Sequence, residues 1–152
     1  MITKRILALS TMVLLLTGAV FSQQYNHSLG IRAGLKSGIA YKAFFSDQSA
    51  IEVIGLHKQS YSSLTSVYEF HFSPFYSDNI QLFTGIGGHI DQVRPTKGNS
   101  FAVIGADAIV GVEYTFDRAP IALSLDVKPA LQIIGRQQLD IGWFGVTGRI
   151  TF

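Results

Sequence analysis

The last thirteen residues of the chain, Asp140 to Phe152, read D-I-G-W-F-G-V-T-G-R-I-T-F and alternate in character residue by residue. Phe152, Ile150, Gly148, Val146 and Phe144 fall on one parity, and Thr151, Arg149, Thr147, Gly145 and Trp143 on the other. Successive side chains of a strand point to opposite sides. The segment therefore predicts a strand with one apolar side and one side that is mostly polar or small, ending on an aromatic residue.

The same alternation recurs through the chain. From Tyr25 onward, turn-forming clusters stand at Lys36–Gly38, Ser46–Ser49, Gln59–Ser63, Ser73–Asn79, Arg94–Ser100, Asp117–Pro120 and Gly135–Leu139. Seven connections predict eight strands, over 27 to 35, 38 to 45, 50 to 58, 62 to 72, 79 to 92, 101 to 116, 121 to 134 and 140 to 152. In the sixth, Ala106, Ala108, Val110, Val112 and Tyr114 oppose Gly105, Asp107, Gly111 and Glu113; in the seventh, Leu123, Leu125 and Val127 oppose Ser124, Asp126 and Lys128. The fifth sets Ile86 and Ile90 against Gly87, His89 and Asp91, the fourth Leu64, Tyr68 and Phe70 against Thr65, Glu69 and His71, and the first Leu29 and Ile31 against Arg32. Strands two and three are ambiguous, because Lys42 and Glu52 have apolar neighbours on both parities. Most of these segments have about the 9 to 11 residues that cross a membrane on a tilt, so the expected fold is an all-β, eight-stranded antiparallel transmembrane barrel. Pro129 lies inside the seventh strand, where it cannot donate to a ladder, and a bulge or local break is expected there.

Composition agrees with a lipid environment. Charged residues make up 14% of the 152 and apolar ones 47%, against about a quarter charged in soluble domains. Residues 1 to 22 have a basic start at Lys4 and Arg5, an apolar run from Ile6 to Phe21 and small residues at Val20 and Ser22. That is the pattern of a cleaved signal peptide, cut between Ser22 and Gln23, which leaves 23 to 152 as a single barrel domain. Removing Lys4 and Arg5 from the twelve basic residues leaves ten against ten acidic ones. The basic pI is then no argument for nucleic acid, and no stripe of Lys/Arg interleaved with aromatics occurs. The chain has no cysteine, which excludes disulfides, thiolate metal sites and cysteine nucleophiles.

Periodicity does not say which side faces out: a soluble lipocalin-like barrel or a β-sandwich would turn the apolar face inward. Three features favour apolar-outward. The polar face carries charges of both signs, Arg32, Lys42, Glu52, Glu69, Asp91, Asp107, Glu113, Asp126, Lys128 and Arg149, which suit a paired network in a narrow lumen. Glycines crowd the same face. Aromatics, namely Phe44, Phe45, Phe70, Phe72, Tyr114, Phe116 and Phe152, collect at one end of the strands, as an interfacial girdle would. With that end periplasmic, the outer connections hold Lys36, Lys58, Arg94, Lys97 and Arg136, and the periplasmic turns hold Asp47, Asp78, Asp117 and Arg118. Contact between lipopolysaccharide phosphates and Arg94, Lys97 and Arg136 is one expectation; solvated loops are the other.

With its signal peptide, the segments Gly30 to Lys42 (G-I-R-A-G-L-K-S-G-I-A-Y-K) and Gly111 to Pro129 (G-V-E-Y-T-F-D-R-A-P-I-A-L-S-L-D-V-K-P), and terminal Phe152, the chain resembles the small, porin-like outer-membrane β-barrel proteins of Gram-negative bacteria. The resemblance implies a periplasmic amino terminus, location in the cell outer membrane, and passage through periplasmic chaperones and the barrel-assembly machinery. That machinery would read Phe144, Val146, Ile150 and Phe152 of the last strand. The connections are short, which argues against an adhesin or a site for a large ligand.

Chemistry-bearing motifs are sparse. There is no G-x-S-x-G, H-E-x-x-H or P-loop, and Gly85 to His89 lies within a strand and opens no helix. His27, His57, His71 and His89 are not at metal-ligand spacing. No catalytic residue, cofactor or metal is assigned, and the expected role is a non-enzymatic, structural or interaction barrel of the envelope with a filled lumen. Two alternatives stand beside it. One is a lipid A-modifying enzyme, with His57 as base and Ser66 as nucleophile diagonally across a hairpin; the other is a soluble periplasmic lipocalin-like binder of a small ligand.

Overall fold

A computed structural model of the chain describes residues 25–34, 36–74, 79–135, 138–140 and 144–152. The signal peptide expected at 1 to 22 lies outside the described residues, as do Leu35, Asp78, Arg136 and Trp143. The strands are β1 (His27–Gly34), β2 (Gly38–Phe44), β3 (Ser49–Lys58), β4 (Tyr61–Phe72), β5 (Ile80–Val93), β6 (Phe101–Thr115), β7 (Ile121–Val127), β8 (Ala130–Ile134), β9 (Gln138–Asp140) and β10 (Phe144–Thr151). All pairings are antiparallel. Each of β1 to β5 pairs with the next strand in sequence, β6 pairs with β7 and β8, and β10 pairs with both β7 and β1. The β1–β10 seam closes the sheet. Because β7 and β8 follow one another along β6, and β9 and β10 flank them on the other side, the ten strands form eight staves of a closed barrel. The third connection is tighter than its turn cluster suggested: Lys58 already faces Tyr61, so Gln59 and Ser60 alone make the turn.

The seventh stave breaks where Pro129 stands. Across the break the register along β6 is kept, with Val110 opposite Val127 and Asp107 opposite Ala130, and the Ala108 amide donates to the Pro129 carbonyl at 3.0 Å; it shifts only further on, between Ile104 and Gly105. The other neighbour takes the irregularity. Val127 faces Phe144 and Ala130 faces Asp140, so the register with that neighbour shifts by one residue between these two pairs. One extra residue in antiparallel pairing is a β-bulge. The proline forfeits a donor toward β6, and the shift of register falls on the other side of its stave.

Burial fixes the polarity of the wall. Leu29, Ile31, Ile86, Leu125, Phe144 and Ile150 are exposed on the outside, with Ile31 and Ile86 at 72%, while Lys42 and Glu113 are at 0% inside. Lys42 and Glu52, whose parity was ambiguous, both point into the lumen. On β5 the outward apolar residues run from Ile80 to Ile90 and give way to Gln92. Ten steps of about 3.4 Å on a strand tilted by about 40° span roughly 26 Å, close to the ~25 Å apolar band of a membrane barrel.

Six of the seven aromatics expected in the girdle, Phe45, Phe70, Phe72, Tyr114, Phe116 and Phe152, are exposed on the outside at the end that carries both termini. Tyr114 packs edge-on against Phe116 at 4.8 Å, and Phe45 lies 5.6 Å from Tyr68. Phe44 is the exception. It shares the parity of Lys42 and Ala40, so its ring turns into the barrel mouth, where it meets His71 at 4.7 Å.

Polarity can be tested at one position. Ile86→Arg places a guanidinium in the middle of the apolar band, and is expected to cost ~2–4 kcal/mol in a bilayer. The measurement is the urea unfolding midpoint of the barrel in vesicles; a midpoint equal to that of the parent chain would mean Ile86 does not face lipid.

Candidate functional site

The only large assembly of polar groups among the described residues is the lumen. Six buried carboxylates (Glu52, Glu69, Asp91, Asp107, Glu113, Asp126) share it with four buried cations (Arg32, Lys42, Lys128, Arg149). Room for these long side chains comes from inward glycines. A Cβ on Gly145 would collide with the Arg32 guanidinium, one on Gly111 with the Phe83 ring, and one on Gly105 with the His89 ring. Alternation sends such residues inward, and a barrel of about eight strands has a lumen that its side chains just fill.

The charges sort into three groups. Nearest the termini, the Lys42 ammonium sits 2.8 Å from Glu69 and 3.2 Å from Glu113, and Arg149 donates to Glu113 at 2.9 Å, to Ser124 at 2.8 Å, and to Glu52. His71 Nε2 lies 3.0 Å from Glu69. In the second group Arg32 grips Asp126 with both Nη atoms, one of them at 2.7 Å. Asp126 on β7 thus takes its partner from β1, two staves round, with β10 between them. The third group lies toward the opposite mouth. There Lys128 reaches Asp107 at 3.1 Å, His89 Nδ1 reaches the same carboxylate at 2.7 Å, and Asp91 accepts from Ser63 at 2.5 Å, Tyr61 at 2.6 Å and Lys36 at 3.0 Å. Lys36, expected among solvated loop charges, is thus turned into the mouth.

Aromatic rings line the mouth beside the termini. Tyr25, which precedes β1, donates its phenol hydrogen to Glu113 and sets its ring edge-on to Phe44 at 5.1 Å. Phe44 abuts His71, His71 stacks on Phe83 at 5.2 Å, and the Lys42 ammonium lies 4.6 Å from the Phe83 centroid. Burial, reinforced by the Glu113 charge, holds the Tyr25 phenol well above its ordinary range, so it remains a donor at neutral pH. Val67, Phe83 and Ile109 form a small apolar plug inside. Sequence reading placed neither Tyr25 nor this plug. The signal for the plug was present, since Val67, Phe83 and Ile109 each share parity with polar lumen residues.

Among the remaining candidates, Ser66 lies opposite Val53, away from His57. His57 Nδ1 instead meets Ser62 Oγ at 2.8 Å on the outer surface, and Glu52, the nearest acid along β3, points into the lumen. Phe144, Val146, Ile150 and Phe152 line the outer face of β10, with Phe152 exchanging backbone hydrogen bonds with His27 at the seam. Arg94 and Lys97 are exposed at the rim opposite the termini. Among the described residues, no cluster of three or more His, Asp or Glu has a geometry that could hold a metal.

No protein-family model and no curated protein matches the chain. Among solved structures, the N-terminal β-barrel domain of Pseudomonas aeruginosa OprF is similar, with a TM-score of 0.59 and 11% identity over 81% of this chain and 92% of that one. At that identity the likeness establishes the fold alone, a β-barrel, which in this chain closes as eight antiparallel staves.

Proposed function

We propose that this chain is a non-enzymatic integral β-barrel of the outer membrane, exported behind a signal peptide, with a structural or interaction role in the cell envelope. The observation that carries this reading is the inverted polarity: apolar side chains cover the outer wall while charged ones fill the lumen. Water rewards the opposite arrangement, and only lipid rewards this one. A soluble lipocalin-like binder needs an open apolar interior, whereas this lumen is packed with ion pairs and an apolar plug. The lipid A-modifying alternative is not favoured, because His57 and Ser66 are apart and, among the described residues, no carboxylate orients His57.

Partners follow from the surfaces. Outer-membrane lipids suit the apolar band; the barrel-assembly machinery and periplasmic chaperones would handle the chain before closure, through Phe144, Val146, Ile150 and Phe152. Lipopolysaccharide suits the basic rim. Replacing Arg94, Lys97 and Arg136 together by glutamine is expected to lower the lipopolysaccharide that co-purifies with the barrel, and unchanged retention would remove that contact.

Fractionation tests the main reading. The mature chain is expected in the outer-membrane fraction and, unboiled, to migrate anomalously on a detergent gel. Recovery as a monomer in the periplasmic extract would overturn it.

A further inference from the structure

We infer that the outer wall carries a phosphate-headgroup site on one sector of the barrel, formed by His57, Ser62, Gln92 and Arg94 across β3, β4 and β5. The ladder registers put His57 opposite Ser62, and Ser62 opposite Gln92. All three share the outward parity of their strands. The next outward row toward the termini is Gly55, Leu64, Ile90 and Ile104, without a polar side chain. The change from apolar to polar thus falls within one step, and the row marks the edge of the apolar band.

The groups in that row are held in place. His57 Nδ1 and Ser62 Oγ share a hydrogen bond of 2.8 Å, which leaves the ring's Nε2 on its other side. The Arg94 guanidinium donates to Gln92 Oε1 at 2.8 Å, and its backbone amide donates to the Ser60 carbonyl at 2.8 Å, tying Arg94 over the β3–β4 turn. A guanidinium has five N–H donors, and Gln92 takes one. No carboxylate lies in this row. An oriented guanidinium next to hydroxyl and imidazole groups, set at the rim of an oily wall, fits a phosphate oxygen cluster attached to acyl chains.

The occupant is a phosphorylated glycolipid of the outer leaflet. His27 and Phe152 pair at the far end, so the barrel's first strand begins and its last strand ends opposite this rim. A chain that inserts from the side to which it was exported leaves its termini there and carries hairpins across. The inference rests on the outer-membrane reading and adds to it the sector and the headgroup chemistry.

The test uses the folded mature barrel in detergent micelles, titrated calorimetrically with diphosphorylated lipid A, with its dephosphorylated form and with inorganic phosphate. Diphosphorylated lipid A is expected to bind most tightly. Arg94→Gln should weaken it about tenfold, equivalent to ~1.4 kcal/mol, Ser62→Ala by a smaller factor, and Arg118→Gln, at the opposite end, not at all. Each variant must keep the anomalous gel migration of the folded barrel. Equal affinity for the dephosphorylated lipid, equal affinity for inorganic phosphate, or an equal loss on Arg118→Gln would overturn the site. Any of these in a barrel that still fractionates with the outer membrane defeats the site alone; recovery in the periplasmic extract defeats the broader reading.

Discussion

Replacing Arg149 by alanine is expected to destabilise the barrel by ~3–5 kcal/mol, the range for removing one member of a buried ion pair. Arg149 is 2% exposed and bridges three staves, holding Glu113 and Ser124 with one nitrogen and Glu52 with the other. Its loss strands the two carboxylates unequally. Glu113 keeps Lys42 and the Tyr25 phenol, whereas Arg149 is the cation bonded to Glu52. The measurement is the urea unfolding midpoint in detergent. Arg149→Lys should lose less, since it restores the charge without the planar fork that spans two partners. Glu52→Ala added to Arg149→Ala should recover part of the loss, because it removes the carboxylate left unpaired. An unchanged midpoint in Arg149→Ala would mean that the guanidinium sits elsewhere.

The main features of the fold were legible because a strand has a period of two. That period assigned Leu125, Val146 and Ile150 to one side and Asp126, Thr147 and Arg149 to the other, and Pro129 marked the position of the stave break. Polarity was legible from where the glycines and the mixed charges lay. What alternation does not encode is rotation around the barrel. Which inward residues meet across the lumen depends on the stagger between staves, so Asp126 could be placed in the lumen but not paired with Arg32. Tyr25 was invisible for another reason: it precedes the first strand, so no periodicity assigns it a face. Phe44 had the right parity for the lumen, but its aromatic character drew it to the girdle. Its inward turn follows from a mouth that Phe83 and His71 leave open to one more ring.

The second large effect is steric. Gly145 lies on β10 opposite Asp126 on β7, and the Arg32 guanidinium occupies the space where its Cβ would stand. Gly145→Val therefore cannot be accommodated while Arg32 holds Asp126 bidentately. Moving Arg32 aside leaves Asp126, 2% exposed, without the fork that satisfies both its oxygens, a loss of ~3–5 kcal/mol. The seam between β1 and β10 is then weakened close to where the chain closes. Tolerance should return when the ion pair is absent. In an Arg32→Ala, Asp126→Ala background the vacated volume can take the valine, so the same substitution should cost less than ~1 kcal/mol, a non-additivity typical of groups in direct contact. Urea midpoints of the four variants in the cycle measure it. Equal costs in both backgrounds would show that backbone strain at position 145, and not the guanidinium beside it, sets the requirement for glycine.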